Sequence, residues 1–345
     1  MPYTLLAIEN PLLDIQCKPD QELLDKYNLK ANDAILADES HQALYKEIVE
    51  KYEVAYVAGG AAQNTARGAQ YFLPPNSTVY MGCISNDKFG ETMTASAKAD
   101  GLATNYEITT EAPTGTCAVL ITGHNRSLVA NLAAAEKFNV SFVQKAENWK
   151  IVEEAKYYYF GGFCITHDGG YNSAILVSEH AAKNNKTFAL NLSAPFLSQF
   201  FKERLDAVIK NTDILFGNED EARTYSKQAG WNTDDVEEIA KKLSQLEKGN
   251  SKPRLVVITQ GADATVTAIG NESKVHPVIK VQESEIVDTN GAGDGFCGGF
   301  MGLYAQGVDD ASRCVQAGHY LANLVIKRVG PTYPPMAERT NIPTF

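Results

Sequence analysis

The chain has no Cys-x-x-Cys pair and no apolar run approaching the ~20 residues of a membrane span. Those absences leave Cys17, Cys83, Cys117, Cys164, Cys297 and Cys314 as scattered free thiols in a reducing compartment. The opening MPYTLLAIENPLLD has no basic leader segment, and its apolar run stops at Glu9, so the expected location is the cytoplasm, with a nuclear pool also compatible. Also missing is any Pro/Ser/Gly-rich tract, charge block, low-complexity run or internal repeat that would part 345 residues into two equal domains. Positive charge is short as well. The 31 Lys and Arg against 42 Asp and Glu give a net charge of −11, which argues against nucleic acid or an anionic membrane as partner. An anionic ligand must therefore be met by local positive features.

No G-x-x-x-x-G-K-[ST] occurs, which excludes a Walker-type phosphate loop. What the chain does have is DTNGAGDGFCGGF, Asp288 to Phe300. A β-branched run ending Glu285-Ile286-Val287 is read as a strand that breaks into a glycine-rich turn and then into an apolar helix. Gly291, Gly293 and Gly295 let backbone amides crowd together, and with the positive helix end they make a site for phosphate or a developing oxyanion. A carboxylate in that first turn, Asp294, is explained if it accepts the proton of a substrate hydroxyl as the oxygen attacks phosphorus. The plain alternative is an Asp capping a helix. The chemical reading is phosphoryl transfer to an alcohol.

Short apolar strands (4–8, 53–58, 78–83, 156–160, 187–192, 213–216 and 255–259) alternate with helical stretches (89–100, 171–184, 219–228, 236–247 and 311–328). This alternation predicts a doubly wound, mostly parallel α/β sheet with helices on both faces, in which ligands sit at the carboxyl ends of strands. Polar and glycine residues fall at those ends: Asn10, Gly59-Gly60, Gly161-Gly162, Asn191, Gly217-Asn218, Gln260-Gly261 and Asp288 onward. Two regions break the alternation. Residues 12–18 and 116–132 read as extended, the second as a hairpin, and together predict an antiparallel flap that excludes water from the site.

DTNGAGDGF, GGAAQN (Gly59 to Asn64), NEDE (Asn218 to Glu221) and ENPLLDI (Glu9 to Ile15) resemble the ribokinase-like carbohydrate and nucleoside kinases, over about residues 5–334. ENPLLD, TGTCAVLITGHNRSLVANL and FALNLSAPF point within that family to its adenosine-phosphorylating members. The resemblance implies ATP-dependent, Mg²⁺-assisted phosphorylation of the 5′-hydroxyl of adenosine. It also implies a ribokinase-like large domain (residues 1–11, 59–113 and 137–345) with a small β lid (12–58 and 114–136), acting as a monomer. Carried over, Asp294 is the base, and Asn290 with the amides of Gly291, Ala292 and Gly293 forms the anion hole. Asp14 holds the ribose hydroxyls with Gly60 and Asn64 beside it, Asn10 is a further substrate-binding residue, and Leu12, Leu36, Cys117, Leu128, Leu132 and Phe163 wall the base. Arg126 meets the transferring phosphate. Asn191, Thr259, Gly261, Asn290 and His319 lie along the nucleotide, and Asn218 and Glu221 organise Mg²⁺ through water, although their spacing also suits a helix capping box.

The apolar walls favour a nucleoside over a sugar, since a hexose wants hydrogen-bonding groups all round. Ala61-Ala62 departs from the hydroxyl residues expected after the paired glycines. Alternatives that remain are a kinase for another nucleoside or a sugar, and a catalytically silent nucleoside sensor.

Overall fold

The computed structural model describes residues 2–30, 34–123, 125–335, 338–339 and 342–345; the side chains of Asn125 and Arg126 lie outside that description. Fourteen strands are formed among the described residues: β1 Leu5–Ile8, β2 Leu12–Cys17, β3 Ala34–Leu36, β4 Ala55–Gly59, β5 Thr78–Ser85, β6 Ala103–Thr109, β7 Thr116–Thr122, β8 Asn125–Asn131, β9 Tyr157–Gly161, β10 Thr187–Asn191, β11 Ile214–Asn218, β12 Leu255–Gln260, β13 Asp263–Ile269 and β14 Glu272–His276.

Nine of them make one sheet in the order β14-β13-β12-β11-β10-β9-β1-β5-β6. From β12 to β6 every pairing is parallel, and only the β12-β13-β14 edge is antiparallel. Every residue of β1 is fully buried, because helices cover both faces and the alternate side chains feed two separate cores. Strand order reverses at β1: the chain first builds outward through β5 and β6, then returns to β9 on the other side. The carboxyl ends of β1 and β9 therefore open a crevice.

Five strands make a second, small sheet in the order β3-β8-β7-β2-β4. Its outer face is covered by the helices Gln21–Lys26 and Gln42–Lys51. Its inner face carries Leu12, Cys117, Leu128 and Leu132, which look toward the crevice.

Three expectations change. The strand expected at 53–58 is β4, which does not join the large parallel sheet as the strand–helix alternation had it but pairs antiparallel with β2 in the small sheet, within the range 12–58 given to the lid, since its apolar pattern encodes extension but not a partner. The lid is a mixed sheet rather than an antiparallel flap, because β2 pairs parallel with β7 and β3 with β8. Ile286-Val287 is extended but not a strand: the amides of Val287 and Asp288 donate to the Ile326 carbonyl at a helix end (2.9 and 3.1 Å).

Gly295 also has a different place. It lies inside the helix Ala292–Tyr304, where a Cβ would meet Val325 Cγ2 at 2.9 Å, so it serves helix packing rather than the anion turn. Gly298 and Gly299 go further in that direction. A Cβ on the first would lie 2.8 Å from Gly68 Cα and on the second 2.3 Å from the Ala317 carbonyl, so this helix is wedged between its neighbours Ala61–Phe72 and Ala311–Ile326.

Candidate active site

The glycine turn is fixed by Asp288, whose Oδ1 accepts the Asn290 N–H (2.8 Å) and whose Oδ2 accepts the Gly330 N–H (2.9 Å). The turn ends at Gly291, left-handed at φ +76°, where a Cβ would also strike Pro331 at 2.5 Å. Glycine is thus required there twice over. The helix begins at Ala292 with no side-chain cap, and among the described residues the N–H groups of Gly293 and Asp294 have no acceptor. An open helix end of this kind is suited to an anion.

Asp294 lies in the helix's first turn, and its Oδ2 accepts from Asn64 Nδ2 (2.9 Å). Asn64 is held in turn: its Oδ1 accepts from Arg67 Nη1 (3.3 Å), and its carbonyl accepts from Tyr333 Oη (2.8 Å). Burial pushes Asp294 up to about 6, against the pull of the Asn64 hydrogen bond and the Arg67 charge. It is therefore largely a carboxylate at neutral pH, oriented by a residue 230 positions away.

Asp294 and Asn290 line two adjoining cavities. The first gathers Asn10, Leu12, Asp14, Leu36, Gly60, Asn64, Cys117, Leu128, Leu132 and Phe163, so all ten residues expected around a nucleoside share one space. Within it Asp14 is buried on β2 with its carboxylate against Gly59, where a Cβ would lie 2.3 Å from Oδ1. Burial first, then the Asp294 charge, raises Asp14 to about 8, with Arg67 opposing. Gly60, at φ +89°, turns the chain from β4 into the helix Ala61–Phe72.

Glu9 also lines this cavity, although the sequence reading gave it no role. Its Oε2 accepts the Ala62 N–H (2.9 Å), so a buried carboxyl caps the helix at Ala61-Ala62, where hydroxyl side chains were expected. Burial raises it to about 8 against that hydrogen bond, with the Asp294 charge adding to the rise. The ENPLLD motif contained the residue but not its partner.

The second cavity runs from Asp294 along Asn290, Gly291, Ala292 and Gly293 to Asn191, Asn218, Glu221 and Thr259. It shares Thr259, Ala292 and Gly293 with a third, which is lined by Gly261, His319, Ile279, Val281 and Ile286. The polar side chains here are already engaged by the protein. Asn218 and Glu221 form a complete capping box, Glu221 accepting from the Asn218 backbone and side-chain N–H groups (both 2.9 Å) and returning its own N–H to Asn218 Oδ1 (2.8 Å). Asn191 donates to Tyr159 Oη (3.2 Å) and Cys297 Sγ (3.5 Å). His319 Nε2 lies 2.8 Å from Thr265 Oγ1, and burial holds the ring down at about 4. Arg126 lies in β8 opposite Ile121; its side chain is outside the described residues.

Among the described residues no three His, Cys, Asp or Glu side chains converge to cage a metal. Glu221, raised to about 7 chiefly by burial, fits a cation carried mainly by phosphate and water rather than by protein ligands. Nor is any helix among the described residues long and apolar enough to cross a membrane.

A doubly wound sheet, a β lid and an acid at an anion-binding helix start together define a kinase for an alcohol. The chain belongs to the pfkB family of carbohydrate kinases, whose family model matches residues 21–338. Its relatives include adenosine kinase 2 of Arabidopsis thaliana, 50% identical over 96% of this chain and 95% of that protein, and the adenosine kinase of Schizosaccharomyces pombe, 47% identical over 96% of each. Among solved structures, it superposes with TM-score 0.94 and 37% identity over the whole of both chains on Anopheles gambiae adenosine kinase in complex with P1,P4-di(adenosine-5) tetraphosphate. The Schistosoma mansoni adenosine kinase in complex with adenosine, in an occluded loop conformation, matches with TM-score 0.91 and 34% identity over 97% of this chain and 98% of that one.

Proposed function

We propose that this chain transfers the terminal phosphoryl group of ATP to the 5′-hydroxyl of adenosine, giving AMP and ADP. The observation that carries the reading is the position of Asp294, which lines both the apolar-walled cavity and the polar cavity beside the open helix end. A hydroxyl presented from the first and a phosphorus approaching through the second meet at that carboxylate. A molecule with adenosine at each end of a tetraphosphate would span the same path, and the Anopheles relative is complexed with one.

In this mechanism Asp14 holds the ribose hydroxyls as a double acceptor, and the inner lid face sandwiches the base. Asp294, aimed by Asn64, takes the 5′-hydroxyl proton; because the transition state is loose, its main work is orienting the attacking oxygen. The amides of Gly291, Ala292 and Gly293 with Asn290 stabilise the charge on the transferring group, and Arg126 is assigned to the same charge. Mg²⁺, when bound on the phosphates, supplies charge neutralisation, with Asn218 and Glu221 reaching it through water. The residues assigned to this site all come from one chain, so a monomer suffices.

Asp294→Asn keeps the shape and the Asn64 neighbour but removes the base. It should lower kcat by about 10² or more with little change in KM for adenosine. Steady-state assay of AMP formation decides it, and a near-normal kcat rules out the role.

A further inference from the structure

Asn10 lines the nucleoside cavity, and the orientation of its amide is determined by a residue on another element, His167. His167 stands at the start of the helix Asp168–Lys183, where its Nδ1 accepts the Gly170 N–H (3.2 Å). A backbone N–H can only donate, so Nδ1 carries a lone pair and the ring proton sits on Nε2. That Nε2 lies 2.9 Å from Asn10 Oδ1 and donates to it. The other half of the amide gives the same answer independently: Asn10 Nδ2 is 3.3 Å from the Phe163 carbonyl, which can only accept. Among the described residues the second N–H of Asn10 has no acceptor, and Asn10 is only 3% exposed. Gly170 makes the approach feasible, since a Cβ there would lie 2.1 Å from the Cys164 carbonyl and 3.0 Å from the His167 ring.

We propose that His167 is a positioning residue for nucleoside selection: by holding Asn10 Oδ1 it presents an Asn10 N–H to a lone pair on the base. The inference rests on the nucleoside reading of this cavity. The pocket then accepts a heterocycle with an unprotonated ring nitrogen at that point and discriminates against one with C–H or N–H there. An amide released from His167 is held at one end only, by the long 3.3 Å contact to the Phe163 carbonyl, and can swing its second N–H off the base, weakening that choice. Burial keeps the ring neutral by pushing His167 down to about 4, with the Asp168 charge opposing and the Arg204 charge assisting, so the arrangement holds through the neutral range.

The test is kcat/KM with ATP for adenosine and for 1-, 3- and 7-deazaadenosine. The wild type should lose about tenfold on one of the three analogues, the size of one neutral hydrogen bond. His167→Asn places Oδ1 where Nδ1 was, so it keeps the Gly170 cap but cannot reach Asn10. It should hold Tm and KM for ATP while that penalty shrinks to within about twofold. His167→Gln, which reaches Asn10 with its own Nε2, should retain the penalty. A full penalty in His167→Asn, or an equal loss on all four nucleosides, overturns the proposal. Asn10→Ala gives a second route if His167→Asn fails to fold: the penalty should vanish, and its persistence overturns the proposal too. A wild type that forms no AMP from adenosine sinks the functional reading instead.

Discussion

The two ends of the channel through Asp294 are built on different terms. At the nucleoside end, buried polar groups keep unused hydrogen-bonding capacity, as in the Asp14 carboxyl and the second Asn10 N–H, inside walls drawn from both sheets. At the nucleotide end the side chains of Asn191, Asn218, Glu221 and His319 are committed to protein partners, leaving chiefly backbone amides, Asn290 and apolar walls to meet the ligand directly. Buried groups awaiting a partner give sharp selection, because the wrong ligand leaves them unpaired. Backbone and apolar contacts give tolerance.

Asp14→Asn should break this contrast most. KM for adenosine rises by about 10- to 100-fold, as when buried ribose hydroxyls lose their hydrogen-bond partner, and KM for ATP stays put, which two-substrate kinetics will show. The same change should not weaken the unliganded fold. Asp14 is raised to about 8 in the folded state, above its ordinary value near 4, so between those limits the unfolded chain has lost a proton the folded one keeps, and stability falls as pH rises. Asparagine removes that contribution and leaves those of Glu9 and Glu221, so thermal melts from pH 5 to 8 should fall less steeply than in the wild type.

The pH profile sharpens the middle of the channel. Asp294 must be ionised to act and is raised to about 6, so kcat should fall about tenfold per unit below that pH, and the limb should be missing from the residual activity of Asp294→Asn. The smallest effect is expected at the nucleotide end. His319→Gln should move KM for ATP by less than about threefold; a tenfold rise would erase the difference between the two ends.

Helix starts were legible where capping chemistry marks them: the helix Glu219–Gln228 begins where Asn218 and Glu221 predicted it. Local pattern could not assign β4 to the small sheet, nor show that Val287 bonds to a helix end instead of a strand, because pairing partners are set by the whole fold. In DTNGAGDGFCGGF the turn glycine Gly291 was readable, whereas Gly298 and Gly299 answer to helices distant in sequence. The same limit governs the site. Asp294 announced itself, but its orientation by Asn64 and that of Asn10 by His167 span 230 and 157 positions and leave no periodic trace.

Gly330, Pro331 and Tyr333 reach from near the end of the chain to brace the Asp288 turn, the Gly291 bend and the Asn64 carbonyl. A ribosome must therefore release almost the whole polypeptide before the acid and its anion cradle can take their final geometry. A chain stopped before residue 330 would lack the braces on the Asp288 turn, the Gly291 bend and the Asn64 carbonyl.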